Sequence, residues 1–335
     1  MVPLKILYVG CHAILEYDEV KLFTELGHDV FSVDSYRDPL HPVSPLRPPI
    51  EGMVYHKDLD EIKCSREQLD DRLIEWADVI YIMHIPQWVY MNWEKMKHKV
   101  VVWRSIGQSS MTVESSLYVP RMQGLKIVRY SPQEENISGY IGKDATIRFY
   151  KDPEEFKDWN GVIEEIITVA QHMRERSPSC NYNTFEASTS GLKRTIFGPG
   201  NENLEYGGGN LTYEQLKAAY RNNRCYFYTG TYPAAYTLGF IEAFMTGIPI
   251  VSIGNTVADI DPLSKICEFE IGNFIQDGFN GYIANDIKEL RIAVFTLLKD
   301  FNQAKFVSGN GRETAIKLFG KETIKKEWEE FLCHL

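Results

Sequence analysis

Short, largely apolar runs alternate along the chain with longer segments of helical period. Residues 4–9 form the first run and end at Gly10, residues 29–33 and 79–83 form two more, and residues 99–103 a fourth. Each predicts a strand buried on both faces. Residues 17–26 place Val20, Phe23 and Leu26 on one helical face before a Gly27 stop, and residues 66–76 predict another helix. Five prolines, at 39, 42, 45, 48 and 49, predict a loop over residues 38–52. Residues 144–157 read as a join between two domains, with a new strand over 146–150 and a long helix over 162–174 ended by Ser177-Pro178. A strand over 193–197 runs into Gly198-Pro199-Gly200, and Thr212 with Gln215 forms a capping box for a helix over 213–220. A strand (225–229), a loop (230–236), a helix (237–246) stopped by Gly247 and a strand (250–253) follow. After an insertion over 255–276 and a turn over 277–281, helices close the chain near 286–299, 302–318 and 322–333. The pattern predicts an α/β protein of two parallel-sheet domains, 1–144 and 145–319, with the last helix (320–335) packing back on the first. Two such halves place a ligand cleft between them, at the carboxyl ends of both sheets.

Composition narrows the class. At 335 residues, 44% hydrophobic and 24% charged, the chain has room for two ordinary domains. Its six cysteines are scattered, with no CxxC and no zinc spacing, which points to reduced thiols, a cytoplasmic setting and no metal. The first residues, MVPLKILYVG, read as a strand and not a signal peptide, and no apolar run reaches the roughly 20 residues of a membrane helix. The net charge of −10 argues against a nucleic-acid partner. Yet between Lys95 and Pro132 seven cations (Lys95, Lys97, Lys99, Arg104, Arg121, Lys126, Arg129) face Glu114 alone. That stretch is either a solvated face or a surface for a polyanion.

Candidate chemistry concentrates at residues 225–254. Glu242 is the only charge in a helix that is otherwise apolar all round. A buried carboxylate without a partner is costly, so a ligand, a loop or an Arg must meet it. The helix start at Thr237 offers free N–H groups and a partial positive charge, which suits a diphosphate. Other nucleotide signatures fail: Gly10 is followed by Cys11-His12-Ala13 instead of a G-x-G-x-x-G, and Gly139 to Asp144 lacks the spacing of a phosphate loop. There is no G-x-S-x-G elbow.

From Thr237 to Val251, TLGFIEAFMTGIPIV resembles the retaining GT-B glycosyltransferases (family 4-like, group 1 type), whose pattern there is roughly FGLxxxEAMAxGxPVV. Asp277-Gly-Phe-Asn-Gly281 is similar to that family's following DGxNG turn. The resemblance covers about residues 145–320, and the first half only in architecture. It implies two Rossmann-like domains facing across a cleft, a nucleotide-diphospho-sugar donor (UDP-sugar above all), retention and no required cofactor or metal. By similarity Glu242 holds the ribose hydroxyls, and Thr237 and Leu238 meet the phosphates. The family places cations after the first strand of the second domain, where Arg148, Lys151 and Lys157 are the candidates and spacing favours the last two. Gly10, Gly198 and Tyr236 complete the expected donor-side positions.

Two departures bear on the sugar. Ala234 stands where the family often has a second Glu, and the run after residue 100 continues Trp103-Arg104-Ser105 without the family's His. His84 is the possible substitute, and a pentose donor is open. In the first half, Glu16 or Asp18 either complements the helix dipole or orients an acceptor hydroxyl, as a general base if the enzyme inverts. His12, Arg104 and Arg121 are candidate acceptor contacts. The acceptor itself is a saccharide, a lipid or DNA; the aromatics Trp93, Trp103 and Tyr118 in the basic stretch leave room for a hydroxymethylated base of phage DNA, in host cytoplasm if the chain is viral. From another class, a non-catalytic nucleotide-sugar binder is compatible with Ala234.

Overall fold

The computed structural model describes residues 2–33, 48–64, 67–107, 109–255 and 270–335. Most of the proline loop, Arg66 and most of the 255–276 insertion lie outside them. The chain divides into two units, Met1–Phe149 with Ile324–Leu335, and Tyr150–Thr323.

The first unit is built on six parallel strands: β1 (Lys5–Val9), β2 (Asp29–Ser32), β3 (Val79–Met83), β4 (Val100–Arg104), β5 (Lys126–Arg129) and β6 (Ala145–Thr146), in the order β2-β1-β3-β4-β5-β6. Successive side chains of a strand point to opposite faces. Leu7 and Val9 therefore join Ile80, Ile82, Trp103 and Ile127 in one core. Tyr8 and Tyr81 stack on the other face at 4.5 Å, and the closing helix Lys321–Cys333 brings Trp328 edge-on to Phe23 at 5.0 Å.

The second unit carries β7 (Ile163–Val169), β8 (Arg194–Phe197), β9 (Gly207–Gly209), β10 (Asn223–Tyr228), β11 (Ile250–Ile253) and β12 (Tyr282–Ala284), in the order β12-β11-β10-β7-β8-β9. Counted within the unit, this is the doubly wound order 3-2-1-4-5-6, with its reversal between β7 and β10. The Asp277–Gly281 turn serves this packing. Asn280 is buried, accepts from Gln276 N at 2.7 Å and donates to Phe274 O and Thr314 Oγ1 at 2.9 and 3.0 Å.

Two expectations are corrected here. Residues 145–146 pair with β5 and complete the first sheet, so no strand of the second sheet lies over 146–150. Residues 163–169, expected as helix, are the first and central strand of the second sheet. Ile163, Ile166, Ile167, Thr168 and Val169 are stiff at χ1 and favour a pleated surface. Glu164 and Glu165, which made the segment look helical, are held at the strand's start by Lys299 and Lys193. Sequence patterning also left out the helices Met111–Met122 and Tyr182–Thr189.

Candidate functional site

In a doubly wound sheet, ligands bind at the carboxyl ends of the strands where the order reverses. In the second unit those ends are Val169 of β7 and Tyr228 of β10, and the loops leaving them run through residues 170–181 and 229–237. The second loop ends in the nine-residue helix Leu238–Thr246. Thr237, in extended backbone, caps it by accepting from Phe240 N at 3.4 Å, and Gly247 closes it at φ +92°. Gly239 packs closely, and a Cβ there would lie 3.2 Å from the Tyr226 hydroxyl. The helix thus presents at the switch point an N-terminus whose first N–H groups have no partner within the helix backbone.

Glu242 is buried one turn further in and meets Lys151 Nζ at 3.1 Å. Burial pushes the neighbouring Tyr220 phenol well above the ordinary tyrosine range, and the charges of Tyr226 and Glu242 add to the rise. Glu242 therefore has a protein partner for its charge, and that partner is the lysine expected at the diphosphate. Lys151 is itself buried, with its backbone N–H on Phe319 O at 3.0 Å.

The loop after β7 carries cations that sequence reasoning passed over, because the strand before them was read as helix. These are Arg174 and Arg176, exposed beside an exposed His172. Arg176 donates to Gln171 O at 3.2 Å and Arg174 reaches its neighbour Glu175 at 3.5 Å. A buried amide, with a backbone bond from His172 N to Pro199 O at 2.8 Å, ties this loop to the one after β8. Asn201 donates to Ala170 O at 2.7 Å and Gly198 O at 2.9 Å, and accepts from Met173 N at 3.0 Å. Gly198, at φ +117°, lets the two loops touch: a Cβ would stand 2.6 Å from Ala170 O.

The remaining expected donor contacts are dispersed. Leu238 opens the Thr237-capped helix and is partly buried. Tyr236 packs in the core against Phe274 and Phe319, at 6.1 and 5.4 Å between ring centres. Lys157 pairs with Glu154 at 2.8 Å. Arg312 binds both Phe156 O and Met245 O, so Lys157 follows a residue held at the carboxyl end of helix Leu238–Thr246, the opposite end from Thr237. Arg148 belongs to the first unit, where with Arg104 it opposes the burial that raises Glu327.

In the first unit several candidates are committed to the fold. Gly10 follows β1 against the carboxylate of Glu16, which a Cβ would approach to 2.2 Å. Glu16 is fully buried and accepts from Ser32 Oγ at 2.5 Å. His12 is the N-cap of helix Ala13–Glu25, accepting from Leu15 N at 3.5 Å. That helix starts a turn earlier than expected, so Glu16 lies in its first turn and Asp18 beyond it, partly exposed. Arg104 is wholly buried: it meets Glu19 at 3.2 Å, donates to Arg129 O at 3.0 Å and lies over Phe149 and Trp328. Glu19 also accepts from Tyr8 and Tyr81, each at 2.6 Å. Arg104 is therefore a core residue and not an acceptor contact. Arg121 holds Leu125 O at 2.8 Å and pairs with Asp144. His84, after β3 at φ +60°, stacks on Trp103; burial lowers its pKa, and its Nδ1 has no hydrogen-bond partner among the described residues.

Each cation of the basic stretch meets an acid, with Asp144 serving two. Lys95 pairs with Asp71, Lys97 with Glu94, Lys99 with Glu75, Arg104 with Glu19, Arg121 and Lys126 with Asp144, and Arg129 with Glu114. All seven cations have acidic partners, most of them outside the stretch. No group of three His, Cys, Asp or Glu side chains able to hold a metal occurs among the described residues, and no helix there is long and apolar enough to cross a membrane.

Two parallel, helix-covered sheets define a GT-B architecture of two Rossmann-like domains, and solved structures of that architecture match the whole chain. HepE from Anabaena, solved with UDP-glucose, is 13% identical over 99% of this chain and 100% of its own, with a TM-score of 0.67. A glycosyltransferase from Rickettsia africae is 13% identical over 99% of both chains, at 0.68. An alpha-glucosyltransferase in complex with UDP-glucose and DNA containing an abasic site is 12% identical over 99% and 100%, at 0.63. No protein-family model and no curated protein sequence matches the chain.

Proposed function

We propose that the chain is a glycosyltransferase that moves a sugar, with retention, from a UDP-sugar to an acceptor hydroxyl. The observation that carries this reading is the second unit's capped helix, opening at the β7/β10 switch point with the buried Glu242 one turn inside it. The N-terminus suits a diphosphate, and a carboxylate can accept from both ribose hydroxyls. The solved complexes of similar fold with UDP-glucose support the donor class. Arg174 and Arg176 replace Lys151 and Lys157 as the proposed diphosphate contacts, because they follow the first strand of the second sheet. When the bond from the anomeric carbon to the diphosphate oxygen breaks, negative charge grows on the leaving group. Fixed cations and helix N–H groups stabilise that charge more than the ground state. On the acceptor side Asp18 and His84 are the proposed contacts, since Glu16 and Arg104 are occupied by the core. The pairing of the basic stretch lends no support to a DNA acceptor.

A thermal-unfolding panel of nucleotide sugars tests the reading. A true donor at 100 times its dissociation constant stabilises by about 2.7 kcal/mol, and release of UDP with an acceptor present then reports turnover. No stabilisation by any nucleotide sugar overturns the proposal. Binding without UDP release, across acceptors, makes the chain a non-catalytic binder.

A further inference from the structure

Lys151 and Glu242 are 91 positions apart in sequence and meet at 3.1 Å, their side chains 3% and 7% exposed. Removing two charges from water to this extent is unfavourable unless their geometry is well held. The lysine is held independently of the carboxylate. Its backbone N–H donates to Phe319 O at 3.0 Å, it bridges Gly320, and its ammonium lies 5.8 Å from the centre of the Phe156 ring. Phe319 is in turn packed on Tyr236 and Phe240, the residue before the Thr237 cap and the residue whose N–H the cap binds. The ammonium is thus anchored to the same packing that fixes the helix N-terminus. The Lys151 ammonium takes one oxygen and the buried Tyr220 phenol also lies against the carboxylate, which leaves about two of its roughly four acceptor positions. The capacity left over suits two hydroxyls on adjacent carbons.

We propose that Lys151 is a positioning residue for Glu242: it holds the carboxylate as a fixed, charged acceptor, so that the pair, and not Glu242 alone, distinguishes ribose from 2′-deoxyribose in the donor nucleotide. The inference rests on the assignment of Glu242 to the ribose. Lys151 touches no diphosphate in this account, which distinguishes it from the role expected from sequence.

Isothermal titration of the full chain with UDP and with 2′-deoxy-UDP tests it, the readout being the ratio of the two dissociation constants. Wild type is expected to favour UDP by about tenfold, as the loss of one hydrogen bond to a charged acceptor implies. Lys151→Met, of similar length but uncharged, should reduce that ratio to about twofold or less, and Lys151→Arg should restore most of it. A purely structural role would weaken both nucleotides equally and leave the ratio unchanged. If Lys151→Met does not fold, Lys151→Gln, which keeps an N–H donor without the charge, is read in the same way. A wild-type ratio in the folded uncharged variant, with the ratio lost in Glu242→Gln, overturns the role of Lys151 and leaves the ribose assignment standing. A wild-type ratio in Glu242→Gln overturns both.

Discussion

Residue identity was informative where a side chain broke its surroundings. Glu242, an acid inside an apolar helix, demanded a partner, and the structure supplies Lys151 at 3.1 Å. Residue type alone did not separate a cation in the core from one at the surface. Arg104 and Lys157 were both candidates, yet one is fully buried and the other forms an exposed pair with Glu154. That pair follows a residue held at the opposite end of helix Leu238–Thr246 from Thr237. Lys157→Ala should therefore leave UDP affinity within about twofold of wild type, whereas Arg174→Ala or Arg176→Ala should weaken it by about tenfold or more, as titration with UDP will show. His84 makes a prediction about pH. Burial lowers its folded-state pKa, while in the unfolded chain the ring titrates near 6.5. Below that value the unfolded state takes up a proton that the folded state refuses, so stability declines as pH falls from about 6.5 toward the lower folded value. Urea unfolding across that window should show a shallower decline in His84→Asn than in wild type.

Among elements, the three closing helices and the largely apolar strands were legible, because their periodicity and burial agree with local propensity. The failure at β7 arose where they conflict. Its first half is polar because it starts at the sheet's edge, beside Lys299 and Lys193, and its second half is β-branched because it is the sheet's centre. With the strand misplaced, the cationic loop after it was missed as well. The β7 and β8 loops act as one element because Asn201 satisfies three buried backbone groups between them. Leaving buried groups unsatisfied costs about 1–3 kcal/mol each. Asn201→Ala should destabilise the fold by at least about 2 kcal/mol in urea unfolding and weaken UDP binding, by releasing the loop that carries Arg174.

At the scale of the molecule, charge is arranged to cancel. The stretch from Lys95 to Pro132 carries a local excess of cations within a chain of net charge −10, and folding brings acids to each of them. Counterion release therefore has little local charge to draw on. A gel-shift series with duplex DNA should show no binding at about 150 mM salt, where the Debye length is about 8 Å. The Anabaena and Rickettsia structures share the whole architecture at 13% identity, so the fold tolerates nearly complete replacement of its residues. By itself the sequence determined the two-sheet α/β class, the helix from about Thr237 to its Gly247 stop and the oddity of Glu242, since each follows from local period, the glycine stop or the cost of a buried charge. Only the tertiary structure decided which cations pair with which acids, which strand is central in the second sheet and which loops meet at its switch point. Those depend on contacts between residues tens to more than a hundred positions apart, and local patterning carries no information about them.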